Sequence, residues 1–156
     1  MIALYTGSID TFALTTLFDI FENNHKEQLI DALCTKILGY DPQNKLGLRK
    51  QATYFEKTND DRVWDVYEQI VKVDFEEAEI TRKLAERYEN QGDKERALSY
   101  YKKALLRFVA AKRINEATPV WTKLVDEIPE EIDFFLNVER KIAKTISPDK
   151  AALLMQ

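Results

Sequence analysis

Between Asp74 and Ala111 the apolar residues recur at helical spacing rather than in strand alternation. Leu84, Ala85 and Tyr88 fall on one face; Ala97, Tyr101, Ala104 and Leu105 fall on another. Apolar positions three and four apart mark an amphipathic helix with one buried stripe. Asp74 with Glu77 reads as an acidic capping box at the start of the first helix. Gly92 stands where a left-handed residue closes a helix, and Asp93 can cap the next one. The stretch is therefore predicted as an αα-hairpin. A hairpin alone cannot bury its outer face, so further copies of the pattern are expected.

They are found at a period of 33 to 34 residues. Stepping back from Thr81, Leu84, Ala85 and Tyr88 gives Leu48, Gln51, Ala52 and Phe55, then Leu14, Leu17, Phe18 and Phe21. Ala97, Tyr101 and Ala104 correspond to Val63, Tyr67 and Ile70, then to Ile30, Cys34 and Ile37. Pro42 and Phe75 close two units at equivalent places, and the turn from Thr58 to Asp61 absorbs the one-residue discrepancy. Such a period is the signature of a repeat architecture in which each unit covers its neighbour. Units are placed at residues 11–44, 45–77 and 78–111, with a partial unit at 112–129 and C-terminal helices over 130–156.

The partial unit carries a second-helix pattern, Ala117, Trp121 and Leu124, closed by Pro129. Its first helix would overlap the one that begins near Lys94, so that helix is expected to serve both units. Pro119 is placed in the first turn of its helix, where a missing N–H is tolerated. Pro129 is expected to start a further helix with Ile132, Phe135, Leu136, Val138 and Ile142 as its stripe. Ser147-Pro148 reads as the opening of a last short helix, and Ile2 to Tyr5 as the tail of an earlier one. The chain opens inside an apolar helix and closes without a polar cap. It therefore reads as a piece of a longer protein, with Met1 an introduced start.

Composition narrows the function classes. In 156 residues, 45% are hydrophobic and 32% charged, which fits one folded helical-repeat domain and not a disordered chain. A net charge of −4 gives the whole molecule no pull toward nucleic acid or anionic membrane. No run of about 18 apolar residues is present, and no signal peptide is visible, so a cytoplasmic location is expected. Cys34 is the single cysteine, which suits a reducing compartment.

These residues resemble the tetratricopeptide repeat. The third unit carries that pattern as Leu84-Ala85, Tyr88, Gly92-Asp93, Ala97-Leu98, Tyr101 and Ala104-Leu105. In the first unit Phe18 replaces the small residue and His25 the Gly, and in the second Gln51 takes the place of Leu. The resemblance covers Thr11 to Pro129. It implies an all-α, right-handed α-solenoid of stacked helix hairpins with extra terminal helices. The runs VKVDFEEA (71–78) and KLAERYE (83–89), with the tail from Asp133 to Lys144, resemble something narrower. They are similar to the N-terminal helical-repeat extension of spirochaete Gre-type transcript cleavage factors. That resemblance implies a non-catalytic protein–protein interaction module acting with RNA polymerase, whereas the family's acidic-tipped coiled coil has no counterpart in these residues. The alternative is a generic helical-repeat adaptor in another cytoplasmic complex.

Catalysis, cofactors and metals find little material. His25 is the one histidine and falls in a turn; Cys34 takes a core place. No glycine-rich phosphate loop occurs, and the acidic pairs lie at helix starts, where the helix dipole favours them. No enzyme, cofactor or metal site is expected. For partner binding, Arg49-Lys50 and Arg82-Lys83 stand at equivalent positions of successive units, with Thr15-Thr16 in the first. They are candidates for a basic ladder that grips an acidic peptide segment. Some tetratricopeptide proteins hold a C-terminal carboxylate through Lys and Asn pairs, but Thr53 and Glu86 stand where Asn would be wanted. Charge is also partitioned: Lys94 to Arg113 holds seven bases and one acid, and Ile114 to Glu139 one base and seven acids. These blocks either pair with each other or leave Lys102, Lys103, Arg107, Lys112 and Arg113 to dock an acidic partner or nucleic acid. Direct nucleic-acid binding is disfavoured, because glycine and aromatic interleaving are lacking.

Overall fold

The same left-handed turn recurs through the structure, a computed structural model that describes residues 10–145. His25, Asn59, Gly92 and Lys112 all have positive φ, at 53°, 52°, 79° and 59°. In each case the following amide reaches back to an aromatic residue's carbonyl. Lys26 donates to Phe21, Asp60 to Phe55, Asp93 to Tyr88 and Arg113 to Phe108, each at 2.9 Å. This bond closes the end of a helix and satisfies carbonyls that would otherwise have no partner. Only Gly92 adopts the conformation without side-chain crowding.

The described residues form eight helices and no strand. They are α1 (Thr11–Asn23), α2 (Glu27–Tyr40), α3 (Lys45–Thr58), α4 (Val63–Val73), α5 (Ala78–Asn90), α6 (Lys94–Ala110), α7 (Ile114–Glu127) and α8 (Ile132–Thr145). They divide into two compact units, one ending at Val73 and one beginning at Asp74. Helices α1, α3 and α5 begin at Thr11, Lys45 and Ala78, where the spacing places first helices.

In the first unit, Leu14 and Phe18 of α1 meet Ile30, Leu33, Cys34 and Ile37 of α2, with Leu46 and Tyr54 of α3 packed against them. Helix α3 approaches α2 closely at Gly47, where a Cβ would stand 3.1 Å from Ile37 Cγ2 and 3.2 Å from Leu38 Cδ2. Helix α3 also packs on α4, and Leu48, Ala52, Phe55, Val63, Val66, Tyr67 and Ile70 are all buried.

The second unit is built on α6, which packs against α5, α7 and α8. Tyr101, Ala104, Leu105, Phe108 and Val109 of α6 lie in one cluster with Ala85 of α5, Leu124 of α7 and Val138 and Ile142 of α8. Small residues at 85, 97, 104 and 117 let the helices close on one another. Helix α6 thus supplies a face to the hairpin before it and to the helices after it.

Several local expectations are corrected. Glu77, not Asp74, caps α5 by accepting from the Ile80 amide at 3.2 Å; Asp74 accepts from Glu76 two residues on and shapes the preceding turn. Pro119 lies inside α7, in its second turn, because the left-handed turn at Lys112 lets that helix begin at Ile114. Helix α8 begins at Ile132 rather than at Pro129. Its inner face is Phe134, Phe135, Val138 and Ile142, which leaves Ile132 63% and Leu136 42% exposed. The helices expected over Ile2 to Tyr5 and after Ser147 lie outside the described residues.

Candidate functional site

Of the basic residues singled out by sequence, Lys50, Arg82, Lys102, Lys103 and Arg107 have carboxylate, carbonyl, hydroxyl or ring neighbours. In the first unit Lys50 Nζ stands 2.7 Å from Glu22 Oε1 and 5.5 Å from the Phe18 ring centroid. Arg49 is exposed on α3. In the second unit the Arg82 guanidinium straddles Glu79 and Glu86 of its own helix, and Lys83 is half-buried beside it. Hydrogen bonding to Glu79 holds Arg82 still more firmly protonated than usual. Lys102 is taken by Glu131 and lies over Phe134, and Lys103 lies 4.9 Å from the Tyr100 ring centroid. Arg107 turns inward onto the start of α5, donating to the Glu77 carbonyl at 2.9 Å and to the Thr81 hydroxyl. Burial there lowers its pKa, offset in part by Asp74 and Glu77.

The opposite charge blocks do meet. Lys94 pairs with Glu127 at 2.8 Å, Lys102 with Glu131, and Arg113 with Glu116 at 2.9 Å. Exposed pairs of this kind contribute little stability singly, about 0.2–1 kcal/mol. Their consequence is positional, because they align α7 and the lead-in to α8 along α6.

That alignment leaves a groove between α5 and α7, about 390 Å³ in volume, floored by Tyr101 of α6 and Val120 of α7. Its walls are Glu79, Arg82 and Glu86 on one side, and Asn115, Glu116, Pro119 and Lys123 on the other. Both ends are tied. At one, Arg113 Nη2 of the preceding turn reaches Glu79 Oε2 at 3.5 Å. At the other, Glu89 accepts from Lys123 Nζ at 2.5 Å and from the Tyr101 hydroxyl at 2.7 Å. Those two donors hold the Glu89 carboxyl below the usual carboxylate range, Lys123 first. Burial, then the bond to Glu89, pushes the Tyr101 hydroxyl well up, so it stays a donor.

Sequence reasoning placed Arg82 here but missed Glu89, Lys123 and Asn115. A usable signal was present: Glu79 with Arg113, and Glu89 with Lys123, are opposite charges 34 residues apart, one repeat period. A second cavity, about 430 Å³, lies by Phe75, Glu76, Leu106, Arg107, Ala110 and Ala111. Among the described residues no cluster of His, Cys, Asp and Glu is placed to hold a metal ion, and no helix is long and apolar enough to cross a membrane. Cys34 is fully buried, and burial, then the nearby Asp31 charge, pushes its thiol up to about 12.

No family model matches the chain. It is similar over its whole length to a GreA-associated domains protein of Treponema pallidum (strain Nichols), 41% identical over 156 residues, which are 24% of that protein. It is also similar to transcription elongation factor GreA of Borreliella burgdorferi, 29% identical over 144 residues, 92% of this chain and 16% of that one. The chain thus spans a quarter or less of the curated relatives it matches. It is a helical region related to parts of Gre-associated proteins.

Proposed function

We propose that this chain is a non-catalytic protein–protein interaction module of a Gre-type transcription elongation factor, a right-handed solenoid of tetratricopeptide-like hairpins that acts with RNA polymerase in the cytoplasm. The observation that carries the reading is the 41% identity along the entire chain to a region of a GreA-associated domains protein several times its length. The single histidine sits in an exposed turn and the single cysteine in the core. The groove between α5 and α7 is the surface put forward for the partner. The recurring left-handed turn at 25, 59 and 92, spaced 34 and 33 residues, supports stacking of equivalent hairpins.

Immobilised chain is expected to retain bacterial RNA polymerase core enzyme from purified solution, with retention falling as salt rises. If purified polymerase passes the chain as it passes a bare matrix at low salt, the polymerase reading fails.

A further inference from the structure

The groove between α5 and α7 is lined by more carboxylates than cations. Arg82 donates to Glu79 and Glu86, and Lys123 to Glu89. Arg113, at the rim, is shared between Glu116 and Glu79. Three cations therefore face four carboxylates, Glu79, Glu86, Glu89 and Glu116, which leaves one negative charge in excess. A carboxylate has about four lone-pair sites for hydrogen bonds, whereas a guanidinium or ammonium accepts none. The ion pairs occupy only one or two sites on each acid, so acceptor capacity remains along both walls.

Pro119 adds a neutral acceptor. With no N–H it cannot donate to the carbonyl of Asn115 one turn earlier, and both residues line the groove. The floor combines the Tyr101 ring and Val120, an apolar strip able to cover an aliphatic stem. Acceptors on the walls over an apolar floor match a long side chain that ends in a cation.

We propose that this groove takes a lysine or arginine side chain from an extended basic segment of the protein partner. An acidic segment would meet carboxylates whose cations are already engaged. The inference rests on the reading of the chain as a protein-interaction module and not on the identity of the protein bound. It reverses the charge expected from the Arg82-Lys83 pair alone, because Arg82 is held by its own helix.

The test uses the full chain with two capped octapeptides, one alternating lysine with glycine and one alternating glutamate with glycine, followed by amide NMR shifts. The lysine peptide is expected to shift Arg82, Glu86, Asn115, Val120 and Lys123. Glu86→Gln with Glu116→Gln, which keeps size and removes charge, should weaken it about tenfold. Glu27→Gln with Glu95→Gln, at exposed helix starts outside the groove, should leave it unchanged. Stronger binding of the glutamate peptide, shifts mapping elsewhere, or equal affinity of the groove variant would overturn the proposal. The polymerase reading fails separately: a chain that binds the lysine peptide here but ignores polymerase keeps this inference and loses that one.

Discussion

Glu22, Glu56 and Glu89 hold one position of the repeat, 34 and 33 residues apart, yet the two units of the molecule use it differently. Each carboxylate sits in the last turn of a first helix, where the helix dipole disfavours negative charge and a donor is needed. In the hairpin of α3 and α4 the Tyr67 hydroxyl donates to Glu56; in that of α5 and α6 the Tyr101 hydroxyl donates to Glu89. In the first hairpin the matching residue is Cys34, which offers no such donor, and Glu22 takes Lys50 of α3 instead. Glu89 has both kinds of donor, tyrosine from its own hairpin and Lys123 from the helix beyond. Carboxylates at equivalent spacing thus close a simple hairpin in the first unit and one end of a groove in the second.

The largest break should come from the helix that makes the second unit different. Phe108 of α6 is fully buried, and Phe108→Ala is expected to lower unfolding stability by about 3–5 kcal/mol in denaturant titrations, with hydrogen-exchange protection lost across α5 to α8. Next, Glu89→Ala leaves the buried Tyr101 hydroxyl without its acceptor and should cost about 1–3 kcal/mol. Glu22→Ala removes only the contact with Lys50 and should cost about 0.5–1 kcal/mol. Equal losses would erase the contrast between the units. At the turns, Gly92→Ala should cost about 1–2 kcal/mol, because φ is +79° there. Lys112→Gly, at the equivalent turn before α7, should instead stabilise by up to about 1 kcal/mol.

The smallest effect is one of pH. The Glu89 carboxyl is held low by Lys123 and Tyr101, so its contribution is fully present above the unfolded-state pKa of about 4.3. It is lost as pH falls through the folded-state value. Glu89→Gln should therefore lose stability less steeply than the parent chain below about pH 4.3 in thermal melts taken across that range. Parallel curves would mean that the Glu89 contacts carry no linked protons.

Helix type and buried faces were legible because apolar residues recur with one period on both helices of each pair. Leu14, Phe18, Leu48, Ala52, Leu84 and Ala85 are all buried as spacing implied. Turns were legible at His25, over Thr58 to Asp61 and at Gly92, but not at Lys112, because lysine does not advertise a left-handed conformation by residue type. Helix α7 was placed late for that reason. The groove was less legible still. A pattern of single charges does not say whether Arg82 points to a ligand or lies across Glu79 and Glu86, because both choices keep it on the polar face. Pairing 34 residues apart, as in Glu89 with Lys123, follows the repeat period, and its place at one end of the groove is fixed by α7 lying across from α5.

The most direct test of the central claim is an amide hydrogen-exchange footprint of the chain with and without RNA polymerase core enzyme. The expected result is polymerase-dependent protection over α5 and α7, centred on Arg82 to Glu89 and Asn115 to Lys123, with α1 and α2 unchanged. Exchange that is identical with and without polymerase, or protection confined to α1 and α2, would contradict it.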